Sequence, residues 1–321
     1  MDVLVMGGSR FAGIAVVQHL LERGHTVTTF NRGIHRVDWN GQVREIRGDR
    51  DDPAAIDQLR SIAFDGIVDM SAYTASQTRG LLEVLGDVPR LVHCSTGAIY
   101  QPQPILPWSE DTPDGPWALW GSYGVEKLGC EILLRTQRSP EAATTAIRLP
   151  YVLGPANFAD REEFVLNRLL DGAEILIPGD GQAVQQFLSV DQVAHAMVAA
   201  LERFDSGGWR AFNTASPGFV SLIGFVEICA ELVRTTPGIR LVGGGPTGLH
   251  EEVFNRLEAA FPFPNVNYVL DVTASVASGI APAPRCIREI LTESFDYLHA
   301  HPERRSWTRT AGENVHLKGY P

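Results

Sequence analysis

The stretch Val3–Gly13, VLVMGGSRFAG, joins an apolar run to a cluster of glycines. The apolar run predicts a buried β-strand, and the apolar residues Ile14, Val17, Leu20 and Leu21 that follow predict one face of a helix. A glycine turn between a strand and a helix presents backbone N–H groups and the positive helix end to a diphosphate. We therefore expect a dinucleotide site in this turn. Its predicted contacts are Gly7, Gly8, Ser9, Arg10, Phe11 and Gly13.

The first half of the chain alternates β-rich runs with helical patterns. This rhythm is typical of βαβ units and predicts an α/β fold with a doubly wound parallel sheet. The six predicted strands are Val3–Met6, Thr26–Phe30, Val43–Ile46, Gly66–Met70, Arg90–Thr96 and Thr144–Leu149.

After Pro150 the rhythm changes to loops, short strands and helices, which predicts a smaller mixed α/β substrate region toward the C-terminus. We expect a dinucleotide-binding domain over residues 1–155, rejoined by about 187–204, and substrate-binding segments over 156–186 and 205–301. The glycine-rich segment Gly243–Gly248 is predicted to be a loop. The polar tail 302–321 is expected to pack loosely or to be mobile.

Composition excludes several classes of protein. The formal net charge of −11 opposes binding to a phosphate backbone, so nucleic acid is not an expected partner. No apolar run is long enough to span a membrane, and no export signal precedes the first strand, so a cytoplasmic location is expected. The nine histidines and four cysteines lack the spacing of metal ligands, so no metal is expected.

The end of the second predicted strand bears on the choice of cofactor. In NAD-selective sheets an acidic residue there bonds the adenosine ribose, but this strand ends in Asn31, Arg32 and Gly33. Arginine binds a 2′-phosphate through charge-assisted hydrogen bonds, and Arg10 and Arg32 are predicted to converge on it. NADP(H) is therefore favoured over NAD(H), while the alternative is that both arginines are solvated surface residues.

Two hydroxyl-bearing segments predict a catalytic centre. Tyr123 and Lys127 are four residues apart, which places them on one face of a helix. A nearby ammonium lowers the pKa of a phenol and so makes it a better acid-base group. Ser95 and Thr96 end the fifth predicted strand, where their hydroxyls are suited to holding a carbonyl or alcohol oxygen.

Further segments follow in a fixed order: GDRDD at Gly48–Asp52, DMSAYT, CSTGAIY, YGVEK, RLPYVLGP and FLSVDQVA. Together with GGSRFAG they resemble the extended or atypical short-chain dehydrogenases/reductases of the NAD(P)-dependent epimerase/dehydratase family, which have a Rossmann domain. GGSRFAG and FNRG also resemble a subgroup that includes chloroplast stem-loop-binding proteins, which are associated with RNA.

The resemblance implies roles for individual residues. Tyr123 would be the acid/base, Lys127 would bond the nicotinamide ribose, Thr96 would hold the substrate oxygen and Ser95 would have a secondary role. The implied cofactor contacts are Asp49 and Arg50 at the adenine, Ser71 and Ala72 along the groove, and Pro150 to Val152 near the nicotinamide. The implied substrate contacts are Asn157, Arg161, Gln182 and Gln186.

The loop between Tyr100 and Tyr123 contains Trp108, Trp117 and Trp120. These indoles either cover a ring-bearing substrate or pack the loop onto the domain. The 4,6-dehydratases of the family carry an Asp-Glu pair after the active hydroxyl, whereas Gly97 and Ala98 follow Thr96 here.

The expected function is therefore hydride transfer at a secondary alcohol or ketone of a sugar-like, nucleotide-linked substrate, by a reductase or an epimerase that is not a 4,6-dehydratase and that can form a homodimer. The alternative is a redox-silent protein on the same fold that binds RNA or a dinucleotide.

Overall fold

The chain alternates strands and helices from its first residues, and the computed structural model describes residues 1–243 and 260–317. The predicted loop at Gly243–Gly248 lies outside these residues except for Gly243. The strands are β1 (Asp2–Met6), β2 (Thr26–Asn31), β3 (Val43–Arg47), β4 (Gly66–Asp69), β5 (Arg90–Thr96), β6 (Ala143–Leu149), β7 (Tyr151–Leu153), β8 (Ile175–Pro178), β9 (Val184–Gln185), β10 (Phe187–Ser189), β11 (Trp209–Asn213), β12 (Val220–Ser221) and β13 (Ile239–Val242). The helices are α1 (Ala12–Glu22), α2 (Pro53–Ile56), α3 (Ala75–Leu85), α4 (Gly121–Gln137), α5 (Glu162–Leu170), α6 (Val190–Arg203), α7 (Leu222–Val233), α8 (Thr273–Ser278), α9 (Ile287–Ala300) and α10 (Ala311–Leu317).

A parallel sheet of seven strands, in the order β11-β6-β5-β4-β1-β2-β3, forms the centre of the described structure. The predicted doubly wound α/β fold is confirmed, and all six predicted strands are present. The seventh strand, β11, was predicted to lie in the substrate region 205–301, but it extends the sheet beside β6. Most of its residues are only half-buried, so it lacks the continuous apolar run that marks the central strands.

Helices cover both faces of the sheet, which explains why Val3 to Met6 are completely buried. On one face α1 and α6 pack together, with Val17 and Leu20 among the side chains that form this core. On the other face α3 and α4 contribute Leu81 and Leu134 to a second core. The order of strands reverses between β1 and β4, and ligands of such sheets bind at this switch point, beyond the carboxyl ends of the strands.

The C-terminal region has its own core, which is rich in aromatic rings. Strand pairs β7–β10, β8–β13 and β9–β12 and helices α5, α7 and α9 surround it. Phe225 and Phe263 are T-shaped neighbours with ring centroids 5.0 Å apart, and Tyr151 and Phe187 pack beside them. This region is the smaller mixed α/β part that the sequence predicts.

The tail is anchored to α5 as far as the structure describes it, so the expectation of loose packing is wrong for residues 302–317. Arg168 of α5 is 1 % exposed and forms a 2.7 Å ion pair with Glu313. Its guanidinium also stacks between the rings of Phe164 and Trp307. The sequence separates Arg168 from Glu313 by 145 residues, so no local pattern reveals the pair.

None of the helices in the described part of the chain has the length and apolar character needed to cross a membrane.

Candidate active site

The glycine turn joins β1 to α1 at the switch point. A Cβ at Gly13 would lie 2.1 Å from the carbonyl oxygen of Gly7, so a larger residue there would break the packing of turn against helix. Gly7 has a φ of 91°, and a Cβ on it would lie 2.7 Å from the Cβ of Ser71. Glycine is therefore required at both positions, and the turn directly contacts the loop that follows β4.

Helix α1 begins with an open N-terminus. Phe11 precedes it with a φ of 45°, no side chain caps the helix and its first turn has no acidic residue. The first N–H groups of a helix have no partner within the helix, and the helix dipole adds positive charge. This end of the turn is suited to an anion such as a diphosphate.

The floor of the site is built on a buried ion pair between Arg50 and Asp69. Arg50 donates to both carboxylate oxygens of Asp69, at 2.8 and 3.0 Å, and to the Ser71 hydroxyl at 2.8 Å. Burial opposes ionisation of Asp69, but Arg50 outweighs it and holds the pKa of this carboxyl below its usual range. The structure therefore places Arg50 beneath the loop after β4, with its side chain engaged there rather than at an adenine.

Asp69 in turn shapes that loop. Its Oδ1 accepts hydrogen bonds from the backbone N–H groups of Ser71 and Ala72, both at 3.0 Å. The carbonyl oxygen of Ala72 then points to Lys127 and accepts a 2.7 Å hydrogen bond from its Nζ. Thus Arg50 and Asp69, although buried, fix the position of the Lys127 ammonium.

Lys127 lies on α4 and is only 4 % exposed. Besides Ala72, its Nζ donates to the carbonyl oxygen of Cys94 at 2.6 Å and lies 3.2 Å from Nε2 of His93. Its acceptors are two carbonyl groups and a neutral imidazole, so its positive charge is stabilised without a salt bridge in the described structure. His93 lies beside Asp69 on the neighbouring strand.

Tyr123 lies one turn before Lys127 on the same helix and opens to the groove, with 41 % of the residue exposed. Burial raises the pKa of the Tyr123 hydroxyl above its usual value, while a hydrogen bond with Thr96 opposes the rise. The lowered pKa that was expected from the nearby Lys127 ammonium is therefore not found. Thr96 ends β5, is 8 % exposed and also accepts a hydrogen bond from Ala98 N–H. The structure thus brings Thr96, Tyr123 and Lys127 together.

Tyr73, which the sequence analysis did not single out, lies over the same centre. Its ring centroid is 6.2 Å from that of Tyr123 and 5.9 Å from Nζ of Lys127. Tyr73 is part of the DMSAYT segment after β4. Its position in that family motif could have marked it as a site residue.

Ser95 is turned away from Thr96, because successive residues of a strand face opposite sides of the sheet. It is 3 % exposed, and its hydroxyl donates to the carboxylate of Glu131 on α4. Glu131 also pairs with Arg148 at 2.7 Å, and Arg148 donates to the hydroxyl of Tyr100 at 2.8 Å. Ser95 therefore belongs to a buried network that joins β5, β6 and α4, and the secondary role at the substrate oxygen that was predicted for it does not fit this position.

Pro150 directly precedes β7, which Tyr151 and Val152 begin, and this segment lies near Arg161. Arg161 donates to the carbonyl oxygen of Val152 at 3.1 Å, and its guanidinium lies 5.0 Å from the ring centroid of Tyr151. Burial raises the pKa values of Tyr123 and Tyr151, and the charge of Arg161 opposes the rise at both, so it faces the side of the centre on which Tyr123 lies. The Tyr151 hydroxyl is buried and has no hydrogen-bond partner in the described structure.

Three predicted substrate contacts are internal instead. Asn157 is 2 % exposed, and its side chain bonds Glu162, Val152 and Ala159. Gln186 is also buried, and its side chain donates to the carbonyl oxygen of Ser216 and accepts from Leu270 N–H. Trp120 lies in the aromatic core, 8 % exposed, which favours the packing alternative for the tryptophan-rich loop. Gln182 lies on an exposed turn near Asp180.

The end of the site at which the sequence predicts the adenosine is more open. Asn31 closes a turn by accepting from Gly33 N–H at 2.9 Å, whereas Arg32 is exposed and has no hydrogen bond or ion pair among residues 1–243 and 260–317. Asp49, also exposed, caps the turn after β3 by accepting from Asp51 N–H.

Arg10 turns toward a cavity of about 540 Å³ beside the glycine turn. Its guanidinium stacks on Phe158 at 3.9 Å, and Ser9, Phe11, His35 and Arg36 also line this cavity. The structure thus brings Arg10 together with Arg36 rather than with Arg32. Arg36 lies in a loop without a periodic pattern, so no local signal in the sequence pointed to it.

Within the described ranges, no group of three or more histidine, cysteine, aspartate or glutamate side chains is placed to hold a metal ion.

The sheet order, the glycine turn and the switch point define a Rossmann-type protein of the doubly wound class. Residues 3–215 match the NAD dependent epimerase/dehydratase family, and the chain belongs to this family.

The relatives include a protein named for binding a stem-loop and another named as an epimerase. The chloroplast stem-loop binding protein of 41 kDa b from Arabidopsis thaliana is 28% identical over 243 residues, which cover 71% of this chain and 62% of the relative. The chain thus spans less than two thirds of that relative's length. UDP-glucose 4-epimerase from Corynebacterium glutamicum is 27% identical over 271 residues, covering 72% of this chain and 80% of the relative. The solved structure of MoeE5 in complex with UDP-glucose and NAD has a TM-score of 0.73 and 25% identity, covering 94% of this chain and 99% of that one.

Proposed function

We propose that the protein is an NAD(P)-dependent reductase or epimerase that acts at a secondary alcohol or ketone of a nucleotide-linked sugar. The observation that carries this proposal is the centre formed by Thr96, Tyr123 and Lys127, in which an exposed phenol is hydrogen-bonded with the Thr96 hydroxyl and lies one helical turn from a buried ammonium. The substrate class is supported by the UDP-glucose 4-epimerase relative and by MoeE5 with its bound UDP-glucose.

The residues present fit a dinucleotide. Gly7 and Gly13 let the turn pack closely against α1 and the loop after β4, and the uncapped start of α1 offers N–H groups to a diphosphate. Lys127 would donate to the nicotinamide ribose, and Ser71 and Ala72 would line the groove. When bound, the nicotinamide supplies or accepts the hydride.

Tyr123 exchanges the proton of the substrate oxygen. Tyr123 is protonated at neutral pH, because its pKa lies above the ordinary phenol value, and it can donate this proton to a carbonyl oxygen as that oxygen gains charge. Thr96 offers a second hydroxyl at the same oxygen, and two aligned donors stabilise the developing oxyanion. In the oxidative direction the phenolate form of Tyr123 takes the alcohol proton, and the hydrogen bond with Thr96 stabilises that phenolate.

Arg161 is proposed as the cation that meets an anionic group of the substrate. It bonds only a backbone carbonyl among the polar partners found in the described structure, and it has no salt bridge there. An arginine beside Tyr123 with free donors is suited to a diphosphate or a carboxylate.

The residue after Thr96 supports reduction or epimerisation over 4,6-dehydration. A Cβ at Gly97 would lie 2.0 Å from the hydroxyl oxygen of Tyr268, which is itself buried. An acidic side chain at position 97, such as elimination of water would need, has no room unless Tyr268 moves.

We further propose that NADP(H) is preferred to NAD(H). Arg10 and Arg36 line the cavity beside the glycine turn, and Arg32 is exposed nearby in sequence. Cationic side chains favour a 2′-phosphate, whereas no carboxylate follows β2 to bond the ribose hydroxyls of NAD.

A second candidate is a redox-silent protein that binds RNA, favoured by the name of the Arabidopsis relative. The net charge of −11 opposes it.

The Tyr123→Phe variant separates the two candidates. The wild type is incubated with a panel of UDP-sugars and NADP+ or NAD+, and reduced nicotinamide and the configuration of the sugar product are measured. We expect Tyr123→Phe to lose at least about 100-fold in turnover while it still binds nucleotide. The matched control Tyr297→Phe, a tyrosine of α9 that stacks on His301, should retain activity. Full activity of Tyr123→Phe would rule out the proposed enzyme.

A further inference from the structure

The hydrogen bonds of Lys127 use its whole donor capacity. An ammonium group has three N–H donors and no acceptor. The structure supplies three acceptors: the carbonyl oxygens of Ala72 at 2.7 Å and Cys94 at 2.6 Å, and Nε2 of His93 at 3.2 Å. No donor is left for a ligand unless one of these bonds is given up.

The bond to His93 is the one that can be exchanged. The two carbonyl groups belong to the backbone, and they are held by the loop that Asp69 fixes and by the β5 ladder. The His93 bond is the longest of the three and involves a side chain. All three acceptors are neutral, and a hydrogen bond weakens as its length increases. The bond to His93 is therefore the weakest of the three.

His93 is an unusual residue for the interior of a sheet. It is completely buried on β5, and its Nδ1 has no hydrogen-bond partner in the part of the chain that is described. Since Lys127 can only donate, Nε2 accepts and the proton lies on Nδ1. Burial and the Lys127 charge hold the pKa of His93 well below its usual value, which keeps the ring neutral and able to accept. A buried polar atom without a partner costs free energy, so packing alone does not explain this histidine.

We propose that His93 is a positioning residue that holds the third N–H of Lys127 until the nicotinamide ribose replaces it. The inference rests on the proposed function, in which Lys127 donates to that ribose. His93 orients the ammonium in the free protein, and it competes with the cofactor for one donor. Removing the acceptor should therefore tighten binding of the cofactor, the opposite of what loss of a binding residue does.

The test is the dissociation constant of NADPH and of NADH, measured by calorimetry. We expect His93→Phe, which keeps a ring but loses the acceptor, to bind the better of the two nucleotides about 3- to 10-fold more tightly than the wild type does. His93→Asn, too short to reach Nζ, should behave in the same way. His93→Gln is the matched control because it retains an acceptor, and it should bind as the wild type does.

A double-mutant cycle with Lys127→Met distinguishes this role from a structural one. Without the ammonium there is no donor to compete for, so His93→Phe should leave the affinity of the Lys127→Met protein unchanged. Unchanged or weaker binding by both folded His93→Phe and His93→Asn overturns the proposal, as does an equal shift in the Lys127→Met background. Failure of the wild type to bind either nucleotide would instead overturn the proposed function, and this inference with it.

Discussion

The floor of the site and its outer wall hold their charged groups in different ways. On the floor, Asp69 and Lys127 are buried and Arg50 is partly buried, and each is fixed by two or more short hydrogen bonds. On the wall, which Arg10 and Arg36 form beside the glycine turn, Arg10 stacks on one aromatic ring and Arg36 is exposed. A buried charge without partners is very costly, whereas an exposed charge is stabilised by water. The floor is therefore rigid before any ligand binds, and the wall is free to adapt to one.

The largest expected effect is on the buried network beneath α4. Glu131→Ala leaves Arg148 and the Ser95 hydroxyl without their buried acceptor, so we expect a loss of about 3–5 kcal/mol in the free energy of unfolding. The control is Glu231→Ala, which removes an exposed ion pair with Arg288 and should cost less than about 1 kcal/mol. Urea denaturation measures both. Equal losses in the two variants would show that burial does not distinguish these pairs.

Glu162 is a buried carboxyl group that, unlike Asp69 with Arg50, forms no ion pair in the described structure. Its bonds come from neutral groups, Gly154 N–H, the Asn157 amide and the Ser294 hydroxyl, and burial raises its pKa to about 7. Between the ordinary value of 4.5 and about 7, folded Glu162 holds a proton that the unfolded chain has lost. Stability from this group is thus present at low pH and is lost as pH rises through that window, by at most about 3 kcal/mol.

Glu162→Gln tests this contribution, because glutamine cannot titrate. We expect the free energy of unfolding of the wild type, relative to Glu162→Gln, to fall between about pH 4.5 and about pH 7. Denaturation curves at several pH values across the window give the difference. A difference that stays flat, or that grows with pH, contradicts the raised pKa.

The smallest effect is expected on the wall. Arg36→Ala removes one cation from the cavity beside Arg10 and should weaken NADPH binding about 10-fold, with NADH binding changed much less. Stability should be nearly unchanged because Arg36 is exposed. Arg44→Ala, on the exposed side of β3, is the control. Equal losses for NADPH and NADH would mean that Arg36 does not read the 2′-phosphate.

The elements that carry the floor of the site could be predicted from the sequence, whereas most side-chain directions and the loop residues of the wall could not. Strand ends and motif order correctly predicted the sheet, and they put Thr96, Tyr123 and Lys127 on elements that meet. They did not predict which way each polar side chain faces. Alternation along β5 was a usable signal that Ser95 and Thr96 face opposite sides. By contrast, the partners of Arg50 and Asn157 depend on tertiary contacts between distant segments, for which no local pattern exists.

Loop residues were the hardest to predict. Arg32 could be predicted because it comes directly after β2. Arg36, which lines the same cavity as Arg10, lies four positions later in an irregular loop and could not be predicted in this way. The buried Arg168–Glu313 pair that anchors the tail was equally invisible, because an arginine on a helix ordinarily predicts a solvated face.

We expect this fold to hold a nicotinamide dinucleotide over Lys127. Equilibrium binding to the purified protein tests this expectation most directly. Calorimetry with NADPH and NADH should give one site per chain, NADPH as the tighter ligand and a clear loss of affinity in Lys127→Met. Absence of binding by both nucleotides, or affinity that is unchanged in folded Lys127→Met, would contradict the account.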